Sequence, residues 1–180
     1  MNFNLKPEEK QALLKLARQT IQSAFENKNI TPQNLFEAFN CGAFVSLHTK
    51  NGALRGCVGI MHSGMPLAIT VQNMALAAAF EDTRFLPLNA EEFKNCILEI
   101  SVLSPMERCE DTSLVETGVH GLYLKYNGKS GVLLPQVPVE QRWNREEYLE
   151  HICLKAGLPP DVYNLPGAEL WTFTALVFSE

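Results

Sequence analysis

Cys57 is the side chain with the clearest chemical potential in the stretch ALRGCVGI, residues 53–60. Arg55 lies two residues before it, and Gly56 and Gly59 stand beside it among otherwise small or apolar residues. A guanidinium near a thiol favours the thiolate, which is the reactive form, and it also binds carboxylates and phosphates. Glycines let a ligand or another backbone approach closely. Two interpretations stay open: a nucleophile with an anion-binding partner, or a buried cysteine that fills space in a strand.

The elements that position Cys57 are predicted from Asn51-Gly52, which joins two β-like runs. This dipeptide is typical of a two-residue type I′ turn, and such a turn sets the register of both strands. The predicted pairs are Thr49 with Leu54, His48 with Arg55, Leu47 with Gly56, Ser46 with Cys57 and Val45 with Val58. The polar face then carries Ser46, His48, Arg55 and Cys57. The core face carries Val45, Leu47, Leu54 and Val58. We therefore expect the sulfur and the guanidinium on one side of the hairpin.

The remaining patterns predict an α+β fold with antiparallel sheets built from hairpins and flanked by α-helices. Apolar spacing predicts an amphipathic helix over residues 7–26. An alanine-rich helix capped by Ser63 and a one-turn helix opened by Asn89 are predicted next, followed by a strand in CILEISVLSP. A second hairpin is predicted to turn at Asn127-Gly128. The last predicted elements are a helix in NREEYLEHICLKAG, with Asn144 and Glu147 as its capping pair and Gly157 at its end, and a final strand in AELWTFTALVF. A mobile loop is expected over residues 108–118.

Composition narrows the class of protein. The 180 residues are 46% hydrophobic and 19% charged, which is typical of a globular chain. A net charge of −5 without any run of Lys or Arg disfavours nucleic-acid binding. The chain shows no leader or membrane-spanning segment, and its five cysteines form no CxxC pair, so a reduced, cytoplasmic protein away from membranes is expected. The four scattered histidines predict no metal site, and no cofactor is indicated.

Four further residues are candidates for the site. Asp82 and Arg84 follow the alanine-rich helix, where they either close a local turn or complete a charged rim around Cys57. His120 lies between Gly118 and Gly121 as a general base or a simple loop histidine. Gln136, between two prolines, either contacts a ligand or ties down the loop.

The run GAFVSLHTKNGALRGCVG resembles the AMMECR domain family, whose hallmark is a Leu-Arg-Gly-Cys-Ile-Gly motif. The blocks PLAITVQNMALAAAFEDTRF, LEISVLSP, GVHGLYLKYNGKSGVLLPQV and WNREEYLEHICLKAGLP resemble later family blocks in the same order. The likeness covers roughly residues 8–178. Val58 stands where the family usually has isoleucine, and Thr83 replaces the proline of its Asp-Pro-Arg-Phe block.

The resemblance implies one AMMECR-type domain over residues 1–180, with a two-lobed α+β fold whose lobes pack intimately. Bacterial and archaeal members resemble component A of the AmmeMemoRadiSam system, which implies a Memo-like protein and a radical SAM protein as partners. It implies no particular reaction.

Three functions are weighed against each other. The first is a small-molecule-binding or thiol-dependent enzyme, with Cys57 as nucleophile or acid/base, Arg55 as anion anchor, and Gly56 and Gly59 giving backbone access. The second is a non-catalytic partner or scaffold of that system, in which the motif serves structure. The third, a nucleic-acid-associated protein, is disfavoured by the acidic charge.

Overall fold

The structure is a computed structural model that describes residues 4–28 and 41–180. The chain forms two compact units: the first comprises the described residues up to Leu103 together with Leu176–Glu180, and the second is Ser104–Ala175. In chain order the elements are α1 (Pro7–Phe25), β1 (Ala43–Thr49), β2 (Leu54–Ile60), α2 (Leu67–Phe80), α3 (Ala90–Phe93), β3 (Cys96–Leu103), β4 (Glu107–Arg108), β5 (Gly121–Tyr126), β6 (Lys129–Leu133), α4 (Gln136–Gln141), α5 (Arg145–Lys155), β7 (Glu169–Phe173) and β8 (Ala175–Ser179). Two four-stranded sheets with antiparallel pairing confirm the predicted α+β class.

The first unit contains the sheet with strand order β2-β1-β3-β8, so β2 is an edge strand. One face of this sheet packs on α1 and α2, and Phe93 of α3 joins the same core. The predicted helix over 7–26 is confirmed as α1, because Pro7 suits the first turn and the Glu9 carboxylate accepts the Lys6 backbone N–H at 2.6 Å. The shared core includes these fully buried side chains: Leu13, Ile21, Val45, Leu47, Leu67, Leu98 and Ile100.

The first hairpin differs from the prediction near its turn and agrees with it further along. Only Gly52 of the Asn-Gly pair has a positive φ, and its N–H donates to the Thr49 carbonyl at 2.8 Å. Because the Thr49 N–H donates to Ala53, the loop has three residues rather than two, the type I turn with a bulged glycine. The pairs predicted for Thr49 and for His48 are therefore wrong, and His48 lies opposite Leu54.

A β-bulge at Arg55 restores the register. Leu47 pairs with Gly56, Ser46 with Cys57 and Val45 with Val58, as predicted. The extra residue of the loop and the extra residue of the bulge thus cancel each other. Leu54 was expected on the core face, but it is 39% exposed because it precedes the bulge.

Helix α2 runs from Leu67 and is not capped by Ser63, contrary to the prediction. The Ser63 hydroxyl instead accepts the Met65 N–H at 3.1 Å and the Thr70 hydroxyl at 2.7 Å, so it organises the segment before the helix. The one-turn helix α3 begins as predicted, since the Asn89 side chain accepts the N–H of Glu92 and Glu92 returns the bond.

The second unit contains the sheet β4-β7-β5-β6. Its Asn127-Gly128 turn is the predicted two-residue type I′ turn, with φ of 47° and 77°. Helix α5 has the predicted Asn144–Glu147 capping box, and Gly157 follows it with φ 69°. The Tyr148 hydroxyl, fully buried, donates towards the carbonyls of His120 and Leu133 at 3.1 and 3.2 Å.

One feature corrects the predicted element list, and a second adds to it. The single strand expected in AELWTFTALVF is two strands, β7 and β8, which join different sheets on either side of Thr174. The segment 108–118 contains a 3-10 turn over Thr112–Leu114, whose preceding residue Asp111 accepts the Ser113 N–H at 2.8 Å. Among the described residues, no helix combines the length and apolar character that crossing a membrane requires.

Candidate functional site

The bulge in β2 determines where Arg55 points. Its guanidinium donates to the Leu86 carbonyl at 3.0 Å and to the Glu92 carboxylate at 3.1 Å, and it lies 5.7 Å from the Phe85 ring centre. Only 14% of the Arg55 side chain is exposed. Because a bulge interrupts the alternation of side chains, Arg55 turns towards the segment around α3 rather than towards Ser46. The polar face predicted for the hairpin is therefore present only in part.

The motif glycines admit neighbouring protein atoms. A Cβ at Gly56 would lie 2.2 Å from the Ala78 carbonyl oxygen of α2. A Cβ at Gly59 would lie 2.2 Å from ring atoms of Phe44. The space beside each glycine is thus already filled by atoms of the first unit. A ligand therefore has no room to approach the backbone at these two points, contrary to the prediction.

The Cys57 thiol lies on the other side of the ribbon from the Gly56 contact, as strand alternation requires. The Ser46 hydroxyl, on the neighbouring strand, donates to the Cys57 sulfur at 3.1 Å. Cys57 is half-buried, whereas Cys41, Cys96 and Cys153 are buried. The predicted pairing of Ser46 with Cys57 therefore gives a hydroxyl–thiol contact.

Asp82 and Arg84 hold the backbone of Cys57 at the sheet edge. The Asp82 carboxylate accepts the Cys57 N–H at 2.8 Å, and the Arg84 guanidinium donates to the Cys57 carbonyl at 3.1 Å. The two side chains also pair with each other, with Arg84 Nε 2.9 Å from one oxygen and Nη2 2.7 Å from the other. Together they satisfy the donor and acceptor that an edge strand otherwise exposes.

This ion pair is asymmetric in exposure and in electrostatics. The Asp82 side chain is 6% exposed and the Arg84 side chain 56% exposed. The hydrogen bonds from Arg84, aided by the Cys57 N–H, hold the pKa of Asp82 well below its usual range. The carboxylate in turn raises the pKa of Arg84, and the Cys57 side chain acts in the same direction. Arg84, rather than Arg55, is thus the cation that contacts Cys57.

One part of the Arg84 guanidinium remains available. Its Nε and Nη2 atoms contact Asp82 and Cys57. Nη1 makes no hydrogen bond within residues 4–28 and 41–180. Nη1 therefore offers N–H groups to an anion beside Cys57.

Two polar groups of β1 and β3 lie on the same sheet face as Ser46. His48 Nε2 is 3.9 Å from the Glu99 carboxylate. This nitrogen is buried and has no hydrogen-bond partner in the part of the chain that the structure describes. Glu99 lies directly opposite Ser46 in the strand register, so it places an acidic side chain on that face.

The remaining candidates belong to the second unit. The His120 ring accepts the Glu116 N–H at Nδ1, 3.1 Å away, and so stabilises its own turn. Gln136 is the first residue of α4 instead of the end of a strand. Its buried Oε1 has no partner among the described residues. The roles predicted for His120 and Gln136 stay predictions.

Burial is the main influence on the pKa of each of the other four thiols. Burial raises the pKa of the Cys41, Cys96 and Cys153 thiols. Burial also raises the pKa of Cys109, which is half-buried in the second unit near Glu110 and Asp111. No group of His, Cys, Asp or Glu side chains within the described ranges has an arrangement suited to a metal ion.

Sequence reasoning did not identify Glu92 and Phe85 as partners of Arg55. Glu92 carried a signal, because it is the third residue after Asn89 in the capping box. That signal gives its place on a helix but not its contact with a strand 37 residues earlier. For Phe85, nothing in the sequence beyond its aromatic type indicates a contact with Arg55.

Comparison with known proteins places these features in a family context. The AMMECR1 family model matches residues 14–178. Protein MJ0810 of Methanocaldococcus jannaschii is 40% identical over 176 residues, covering 93% of this chain and 88% of that protein. A protein of Aquifex aeolicus is 40% identical over 177 residues, covering 93% and 91% respectively.

A solved structure has the same fold. The crystal structure of the uncharacterized protein PH0010 from Pyrococcus horikoshii matches with a TM-score of 0.91 at 37% identity. The match covers 99% of this chain and 94% of that one. The likeness therefore extends over both units.

Proposed function

The chain belongs to the AMMECR1 family, and we propose that it is a small-molecule-binding, thiol-dependent protein whose reactive group is Cys57. The observation that carries this proposal is the setting of the sulfur. It accepts the Ser46 hydroxyl at 3.1 Å, while Asp82 and Arg84 hold the backbone of the same residue. A nucleophile fixed in this way is preorganised, which is the requirement for positioning a reacting group.

The different roles of the residues in the motif support the same proposal. Arg55 is engaged with Leu86 and Glu92, and Gly56 is packed against α2. These residues support the strand, whereas Cys57 is half-buried and its carbonyl contacts the Arg84 guanidinium. The residue that carries the thiol therefore keeps part of its surface open to a reagent.

A reducing compartment suits a thiol-dependent role. All five cysteines are free, including the half-buried Cys57 and Cys109. We propose the cytoplasm as the location, because thiols stay reduced there.

Alkylation with iodoacetamide at neutral pH tests the thiol role. We expect Cys57 to react faster than N-acetylcysteine amide, with labelling followed residue by residue through peptide mass spectrometry. Buried Cys41, Cys96 and Cys153 should stay unlabelled in the folded protein, and Cys109 serves as the half-buried comparison. Ser46→Ala should slow the reaction at Cys57, because it removes the hydrogen bond to the sulfur.

Cys57→Ser is the control that assigns the fast label. If Cys57 in the wild-type protein reacts no faster than the free thiol, or stays unmodified until the protein unfolds, the thiol-dependent function is wrong. Circular dichroism spectra of both variants verify that any change in rate does not come from unfolding.

A non-catalytic partner role is the second candidate, and one exposed residue favours it. Leu86 is 83% exposed although its carbonyl is anchored by Arg55 next to the motif. Covering such a large apolar side chain with a partner removes it from water, which favours association. The family resemblance suggests a Memo-like protein and a radical SAM protein as the partners.

Co-purification with those two proteins separates the candidates. A scaffold role predicts that Cys57→Ser retains the complex and that Leu86→Ser weakens it. Loss of the complex in Cys57→Ser with Leu86→Ser unaffected would contradict the scaffold role.

A further inference from the structure

The Arg84 guanidinium gives the Cys57 site a chemical preference. Resting on the function proposed above, we propose that the site takes small carboxylates whose electrophilic carbon adjoins the carboxylate group. Arg84 donates from Nη2 to the carbonyl of Cys57 itself, at 3.1 Å. An anion on the same guanidinium therefore lies beside the residue that carries the thiol.

The free donors of Arg84 determine where that anion binds. Nε and Nη2 are occupied by Asp82 and the Cys57 carbonyl, and Nη1 is the part without a partner in the described residues. The side chain is 56% exposed, so a ligand reaches Nη1 from solvent without displacing Asp82. A carboxylate accepts a charge-assisted hydrogen bond from a guanidinium N–H that is free in this way.

The surrounding charges limit the size of the effect. The buried Asp82 carboxylate lies on the opposite edge of the guanidinium, and Glu99 lies opposite Ser46 in the strand register. Arg84 is thus the exposed cation of the site, but its attraction is partly offset. An exposed charge pair is worth up to about 1 kcal/mol, which corresponds to about fivefold in rate.

Iodoacetate and iodoacetamide form a matched pair of probes, because they differ in the carboxylate alone. In both reactions the sulfur forms a bond to the CH₂ carbon, the carbon–iodine bond breaks, iodide leaves with the bonding electrons, and the thiol proton passes to buffer. We expect the ratio of the iodoacetate rate to the iodoacetamide rate at Cys57 to exceed the ratio for N-acetylcysteine amide by up to about fivefold. Cys109, which neighbours Glu110 and Asp111, should show no such excess.

Two variants change this ratio in opposite directions. Arg84→Gln should lower it to the value of the free thiol while Cys57 still reacts with iodoacetamide. Asp82→Asn should raise it, because the variant keeps the guanidinium and removes the offsetting charge. Arg145→Gln, a charge removal in the second unit, should leave it unchanged. Loss of folding cannot lower the rate ratio in one variant of this ion pair and raise it in the other. If Arg84→Gln is too unstable to measure, Asp82→Asn alone still tests the proposal.

The outcomes distinguish this preference from the underlying function. If Cys57 reacts rapidly with iodoacetamide but its rate ratio equals that of the free thiol, the carboxylate preference is wrong and the thiol function stands. An excess ratio that persists in Arg84→Gln also overturns the preference. If Cys57 reacts with neither probe in the folded protein, the thiol function itself fails, and this inference fails with it.

Discussion

Replacing Gly56 with alanine tests whether the first glycine of the motif serves packing. A Cβ at this position would lie 2.2 Å from the Ala78 carbonyl oxygen and 3.2 Å from its carbonyl carbon. Ordinary van der Waals contact begins near 3.4 Å, so β2 and α2 would have to separate by about 1 Å. Both contacts are with backbone atoms, and no side-chain rotation can relieve them.

Two opposing terms set the magnitude. Overpacking of a well-filled interior costs about 1–3 kcal/mol. Alanine also restricts the unfolded chain, which stabilises the protein by about 0.4–1 kcal/mol. We therefore expect Gly56→Ala to lower the free energy of unfolding by about 1–2 kcal/mol, measured by urea denaturation followed by circular dichroism.

Gly64→Ala is the matched control, because a Cβ there meets nothing within 4 Å and the residue has no positive φ. It should leave stability unchanged or raise it slightly. Gly59→Ala should fall between the two, since its Cβ meets the Phe44 ring, a side chain that can rotate. If Gly56→Ala and Gly64→Ala have equal stability within about 0.5 kcal/mol, the packing explanation of the motif is refuted.

Two further predictions concern buried polar groups. Because Arg84 holds the pKa of Asp82 below its usual range, this carboxylate stabilises the fold above about pH 4 and loses that contribution as the pH falls further. The difference in unfolding free energy between wild-type protein and Asp82→Asn should therefore shrink on acidification, and a pH-independent difference would contradict the ion-pair assignment. Tyr148→Phe should lower the unfolding free energy by about 1–3 kcal/mol in urea titrations, because the carbonyls of His120 and Leu133 lose their hydroxyl donor. An unchanged midpoint would show that this hydroxyl does not stabilise the second unit.

The sequence allowed prediction of the hairpin but not of its details. Asn-Gly correctly indicated a reversal at residues 51–52, and the pairing of Ser46 with Cys57 is confirmed. The loop nevertheless has three residues, and the bulge at Arg55 cancels the shift. The bulge is stabilised by the contacts of the Arg55 side chain with Leu86 and Glu92, and those contacts depend on tertiary structure. The pattern of apolar residues in β2 is compatible with either loop length.

The position of Asp82 shows which part of the site the sequence could reveal. Strand β2 spans seven residues and α2 fourteen, so at about 3.3 Å and 1.5 Å per residue both are about 20 Å long. A helix that follows a strand and runs back along it therefore brings the residues after its end level with the beginning of that strand. The contact of Ala78 with Gly56 is one consequence. Element lengths thus predict that the residues after α2 lie near the first residues of β2, but they do not determine to which side of β2 the chain turns there, and so they do not predict the bond from the Cys57 N–H to Asp82. That choice depends on the packing of Leu88 and Phe93 into the core beyond the helix, and it makes Asp82 and Arg84 partners of the strand edge as well as of each other.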